Sequence, residues 1–303
     1  MLSSRRAAAL VLLCVLHPLP ACATGDLGEQ KSETPAQSGS QAFSKAGNEP
    51  FDLEVLALAN EGFLLRAADD AVVIDAFVSM PYAGYGALSG EPLEALLAGT
   101  DPFDSVDIAL ASHDHGDHFQ PSPARNFLAA RSECLLASSP QVLAQLDDVN
   151  PHGEPVPPAK AQRRVLPAPG EEERVEVGSI RIDILRLSHG SGRFAGVENL
   201  GHVITLGGVT ALHVGDAAME FANFEAYGLR ERGIDVVFVP YWYFKDSTGR
   251  RIINEHFRPA KLIACHISPS ELSEVTRQLA RTDPDVLVPQ KTFESFGFRN
   301  EHW

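Results

Sequence analysis

The chain has 303 residues, 44% hydrophobic and 21% charged, enough to bury a sizeable core and too apolar for a disordered or fibrous protein. Forty acidic residues against 25 basic ones leave a formal charge of -15, which repels phosphate backbones and argues against a nucleic-acid partner. Beyond the extreme N-terminus no apolar run approaches the ~20 residues of a spanning helix, which excludes a polytopic membrane protein.

Residues 1–22 read as an export signal. Arg5 and Arg6 form a basic start, Ala7 to Leu16 is an apolar stretch of secretory length, and Leu19-Pro20-Ala21-Cys22 closes it with small residues. That tetrad resembles a bacterial lipoprotein signal, its second-place proline departing from the pattern. It implies a periplasmic or outer-surface protein anchored to the membrane through a lipid on Cys22, with plain secretion as the second reading. Residues 23–50, rich in Gly, Ser, Gln, Glu and Pro, read as a flexible linker, and residues 51–303 as one folded domain. Cys134 and Cys265 are too few for a disulfide framework; each reads as a small apolar residue, and a single bridge between them stays open.

Within the domain, Leu53 to Leu58, Gly62 to Arg66 and Ala71 to Phe77 read as consecutive strands, the last two split by Asp69-Asp70. A short helix at Leu93 to Ala98 precedes Val106 to Ser112, a strand apolar enough to be buried on both faces. Helices at Ala124 to Ser132 and Pro140 to Leu146 enclose a strand at Cys134 to Ala137. Residues 151–170, with six prolines, read as irregular. A second set of strands follows at Val175 to Val177, Ile180 to Leu187, Gly201 to Leu206 and Val209 to Val214, with Gly207-Gly208 as a hairpin turn. A strand at Asp235 to Val239, a helix near Arg250 to His256 and a strand at Lys261 to His266 come next. A capping box then starts the last helix, with Ser268 as cap, Pro269 first and Glu271 third.

The chemistry concentrates in Ser112-His113-Asp114-His115-Gly116-Asp117-His118, directly after the buried strand. From extended backbone His113 and His115 can point the same way, while Asp117 and His118 turn toward a second position; imidazole and carboxylate are ligands for zinc and related divalent ions. His189 opens a glycine-rich loop, and both Asp216 and His266 end apolar strands where an uncompensated polar group would be expensive. Asp75 reads as a residue that orients the ligand loop by hydrogen bonds, and His213 as support behind the ligands or plain core. His202 and His256 read as ordinary. Tyr241-Trp242-Tyr243-Phe244 supplies rings for either a substrate wall or core packing. No phosphate-binding GxxxxGK[ST] and no GxSxG nucleophile turn occurs.

His-x-His-x-Asp-His resembles the signature of the metallo-β-lactamase-fold hydrolases, closest to their lactonase-like and phospholipase-D-like branch. Val73-Ile74-Asp75-Ala76-Phe77, Ser188-His189-Gly190, His213-Val214-Gly215-Asp216 and Ile263-Ala264-Cys265-His266 resemble further elements of that family, in its order. One stretch departs: Asn60-Glu61-Gly62 stands where many members carry Gly-His. The resemblance implies an αββα sandwich, two mixed β-sheets flanked by helices. It implies one metal held by His113, His115 and His189, a second by Asp117, His118 and His266, and Asp216 bridging them. Two zinc ions are the expectation, with iron or manganese as alternatives. The implied reaction is hydrolysis of an ester, lactone or phosphodiester of a small molecule or lipid by a hydroxide shared between the metals, with catalytic Asp117 orienting it and taking a proton. Two rivals stand beside this: an amidohydrolase barrel, which does not predict Asp117-His118, and a non-catalytic metal- or partner-binding lipoprotein.

Overall fold

The structure is a computed structural model that describes residues 51–147 and 162–300. The expectations on residues 1–50, with Cys22, and on residues 151–161 lie outside the described residues. The first apolar runs pair as antiparallel strands β1 (Leu53–Ala57), β2 (Phe63–Ala67) and β3 (Asp70–Ile74). Helix α1 (Gly90–Ala98) leads to β4 (Val106–Leu110) and helix α2 (Pro121–Ala130) to β5 (Leu135–Ser138), so β3, β4 and β5 run parallel. After α3 (Pro140–Asp147), β6 (Gln162–Arg164) adds one more parallel strand. It corrects the irregular reading at residues 162–164, while residues 165–170 are irregular as expected; its polar Gln-Arg-Arg carries no alternation to announce it.

The second sheet is an antiparallel meander of β7 (Glu172–Val177), β8 (Ile180–Arg186), β9 (Leu200–Leu206) and β10 (Val209–His213), continued in parallel by β11 (Val236–Pro240) and β12 (Lys261–Cys265). Gly207 and Gly208, at φ +59° and +79°, close the β9–β10 hairpin, and a side chain at Gly207 would collide with Asp52 O and Ala67 Cβ. The final strand β13 (Ser295–Phe298), which the sequence does not announce, returns to pair antiparallel with β1. The sheets read β13-β1-β2-β3-β4-β5-β6 and β12-β11-β10-β9-β8-β7.

Period-two alternation builds the layers. In β3, Val72 and Ile74 enter the space between the sheets while Ala71 and Val73 meet the outer helices; in β11, Val236 and Phe238 point in and Val237 and Val239 out. The outer layer of the second sheet is α4 (Ser247–Ile252), a π-helical turn at Ile253–Phe257, and α5 (Leu272–Thr282). The result is the expected αββα sandwich. Helix α5 starts later than its capping box suggests: Ser268 Oγ and the Tyr241 hydroxyl both bond the Glu271 carboxylate, so Pro269 to Glu271 form a turn before Leu272. Both cysteines are buried and free. No described helix is long and apolar enough to cross a membrane. The C-terminal ends of β4, β8, β10 and β12 lead into the loops that carry the candidate ligands, the usual place for sites in such sheets.

Candidate metal centre

The histidine-rich loop leaves β4 and turns back on itself, with His118 N and Phe119 N both donating to His115 O. Gln120, extended at the head of α2, clamps it: Nε2 donates to Gly116 O and to Met80 O, each at 2.7 Å. The loop is thereby held in two directions. His113 Nε2 and His115 Nδ1 face one another at 3.0 Å on one side. On the other, Asp117 Oδ2 lies 3.3 Å from His266 Nε2, which stands 3.1 Å from His118 Nε2.

Asp216, after β10, reaches both groups. Its Oδ2 lies 3.5 Å from His189 Nε2, 3.9 Å from His113 Nε2 and 3.6 Å from His118 Nε2, while Oδ1 lies 3.4 Å from His266 Nε2. All seven expected ligands therefore meet, in one group of His113, His115, His189 and Asp216 and another of Asp117, His118 and His266; within each group the ligand atoms lie within 4.8 Å of one another.

The donor set fits a divalent cation. Both ring nitrogens of His189 and Oδ1 of Asp216 are buried within the cluster without a hydrogen-bond partner. Such atoms are expensive unless something compensates them, and neutral imidazole with carboxylate is a divalent-metal ligand set. Burial pushes His113 well below the usual imidazole value, so the ring is neutral and ready to ligate. Burial also opposes charge on His118 and His266, but Asp216 and its neighbours prevail, raising His118 well above the usual value and His266 to about 9. Asp216 answers in kind: burial disfavours its charge, yet His266 and His118 hold it well below the usual range.

Asp75 sits at the end of β3 beneath the loop. Its Oδ1 accepts from Ser112 N at 2.7 Å; Oδ2 accepts from Ser112 Oγ at 2.6 Å and stands 2.9 Å from His118 Nδ1, which leaves Nε2 of that ring facing the cluster. His213 is fully buried, its Nε2 3.0 Å from Glu61 O. His202, beside it on β9, is buried with neither ring nitrogen bonded, and His256 packs against Phe221 and Phe224.

Aromatic rings surround the candidate ligands. Tyr85 and Trp242 meet His266 edge-on, with centroids at 4.1 and 4.8 Å, and Phe194 stacks on His189 at 4.7 Å. The Tyr82 ring covers Gly116, so close that a Cβ there would come within 2.8 Å of it. Tyr241 is half-buried and donates its hydroxyl to Glu271 at 3.0 Å. Tyr243 turns away from the centre: fully buried in the outer core, it donates to Ala217 O at 2.7 Å, which corrects its placement as a substrate contact. Tyr85 and Phe194 are neighbours that sequence reasoning missed, and Asn60 showed only as part of a departure. Glu61 showed only as a departure; it is fully buried, its Oε2 4.0 Å from His118 Nδ1 and 3.9 Å from His213 Nε2, and burial, then Asp216, pushes its carboxyl up to about 8.

Residues 71–290 match the family described as the beta-lactamase superfamily domain. The chain belongs to that family. Among solved structures, this superfamily member is similar to a possible metal-dependent hydrolase from Veillonella parvula (TM-score 0.57, 17% identity, 82% of this chain and 100% of that one). It is similar also to the metallo-beta-lactamase fold protein YhfI of Bacillus subtilis (0.56, 15%, 80% and 98%) and to isothiocyanate hydrolase from Delia radicum gut bacteria (0.56, 16%, 81% and 99%). Likeness at these identities is one of fold, and the fold is that of the metallo-β-lactamases. No curated protein sequence matches the chain. A sandwich of two sheets excludes the amidohydrolase barrel.

Proposed function

We propose that this protein is a hydrolase working with two divalent cations, one held by His113, His115 and His189, the other by Asp117, His118 and His266, with Asp216 between them. The observation that supports it most is the Asp216 carboxylate, only partly exposed and turned to both groups at 3.4 to 3.9 Å. Zinc is the proposed ion; iron and manganese use the same ligand types. When bound, such cations supply Lewis acidity and draw a nucleophile from water near neutral pH. The side chains do the rest. Asp75 fixes the ring of His118. Burial opposes ionisation of Asp117, but His266 and His118 outweigh it, so Asp117 stays a carboxylate that orients the attacking water and takes its proton.

The rim supports a substrate with an apolar portion next to an ester, lactone or phosphodiester, from a small molecule or a lipid. Of the four exposed large apolar side chains among the described residues, Met80 and Tyr82 share the loop held to the ligands by Gln120. Amphipathic rings such as Tyr85 and Trp242 suit a ligand with one polar end. Export and a lipid on Cys22 complete the proposal, on the N-terminal pattern; the mass of the mature N-terminus tests that part.

The central test is metal analysis of the purified protein together with turnover on a panel of esters, lactones and phosphodiesters. Two equivalents of metal are expected. His115 is only half-buried, so His115→Ala should stay folded and lose turnover. Full turnover by that variant would sink the reading, and bound metal with no turnover by the wild type would leave a metal-binding protein instead.

A further inference from the structure

The turn between β1 and β2 departs from the Gly-His of the resembling branch, and its contacts with the cluster fall unevenly. It is closed by Gly62 N donating to Ala59 O at 2.7 Å. Asn60 Nδ2 donates to Asp117 O at 3.1 Å and reaches Asp117 Oδ2 at 3.5 Å, while Asn60 O accepts from His266 N. Glu61 Oε1 accepts from Cys265 Sγ at 3.4 Å, one residue before His266. Its Oε2, which lacks a hydrogen-bond partner, stands 4.0 Å from His118 Nδ1, and the carboxylate comes within 4.8 Å of Asp216. A side chain on Gly62 would come within 2.7 Å of Asp75 O, the residue that holds His118.

The turn thus touches Asp117, His118 and His266, directly or through one neighbour. The other group has supports that this turn does not supply: Ser112 Oγ lies 3.0 Å from His113 Nδ1, against 3.4 Å from His118 Nδ1, and Phe194 stacks on His189. Backbone conformation points to the same place. Asn60, Asp75 and His266 are non-glycine residues at φ +52°, +47° and +56°, and all three meet at this turn. Left-handed residues of this kind persist where their surroundings over-determine them, and they gather at functional sites.

We infer that Asn60 and Glu61 are positioning residues for one half of the centre only, fixing Asp117, His118 and His266 and so making the two cation sites unequal. The inference rests on the metal-centre reading above. Its physical content is ligand orientation. Asn60 stops the Asp117 carboxylate from swinging, and Glu61 fills the space behind His118 while tying down the strand end that carries His266. Contacts behind a ligand contribute about 10- to 100-fold in metal affinity.

The test is a titration of metal-stripped protein with cobalt(II), followed by calorimetry and by visible absorption, which reports each ion's coordination. Asn60→Gly removes the side chain and keeps the left-handed backbone accessible; Glu61→Gln keeps size and shape. Wild type should bind two ions in two distinguishable steps. Each variant should lose about 10- to 100-fold in one step and leave the other within about twofold, and His189→Ala should lose the opposite step. Thermal unfolding of the metal-free variants checks their fold, and if Glu61→Gln does not fold then Asn60→Gly decides alone. Two equal steps in the wild type, variants that weaken both steps together, or variants that change neither overturn the inference while the metal centre stands. A wild type that takes up no cobalt overturns both.

Discussion

His118 and His266 hold ring nitrogens 3.1 Å apart, and in the absence of a cation protons and carboxylates must balance that arrangement. His266, whose charge burial opposes and Asp216 and Asp117 favour, titrates at about 9, so it carries a proton at neutral pH when no metal is bound. A cation has to displace that proton. Raising the pH removes the competitor, so apparent metal affinity should climb from pH 7, by at most about tenfold per unit per proton displaced, and the part of the rise owed to His266 should flatten near 9. Without metal the sign reverses. The charged ring contributes stability below the ordinary value of 6.5, and that contribution is lost as the pH rises through about 9. Calorimetric titration at several pH values, in buffers of different ionisation heat, measures the proton released; uptake at pH 7 with no release would contradict the assignment. At this scale the cluster of candidate ligands was legible. Four candidate ligands crowd one short loop, while Asp216 and His266 stand out as polar ends of apolar strands. Tyr85 and Phe194 were not legible, because an aromatic residue in a loop carries no periodicity that says what it faces.

Elements decide which of several similar residues reaches the site. The four aromatics after β11 form a short 3-10 turn, with about three residues per turn, which sends Trp242 to His266 and Tyr243 into the outer core. Tyr243→Phe would leave Ala217 O without its buried donor and should cost about 1 to 3 kcal/mol of stability with metal content unchanged. Trp242→Ala should do the reverse, leaving metal content and fold largely intact while weakening binding of substrates with an apolar portion. Denaturant unfolding, metal analysis and KM separate the two; loss of metal from Tyr243→Phe would put that ring in the site after all. The sequence could count these rings but not orient them, since orientation depends on whether the turn is 3-10 or α. The same limit applied elsewhere. Ser268 and Glu271 have capping-box spacing, yet Glu271 is engaged by Tyr241 and Ser268 before the helix begins. Strand β13 is short and pairs with β1 at the far end of the domain, so no local pattern revealed it.

Across the whole molecule the centre joins the two sheets. The first sheet contributes the loop after β4, with four candidate ligands, and the second contributes His189, Asp216 and His266 after β8, β10 and β12. An unfolded chain cannot bring these residues together, so bound cations stabilise the native state by mass action. At a free concentration a hundred times the dissociation constant, one site adds about 2.7 kcal/mol. For a domain of this size each kcal/mol moves the midpoint by about 2 to 4 °C, so one site should raise Tm by about 5 to 10 °C and two sites by roughly twice that. The short His-rich loop retains some affinity when unfolded, which trims the gain. Scanning calorimetry with and without a chelator measures the shift. A metal held within one loop would leave cooperative unfolding of both sheets nearly where it was, whereas a metal that ties the sheets together moves the whole transition. An unchanged midpoint after complete metal removal would mean that the seven side chains do not act as a joint between the sheets.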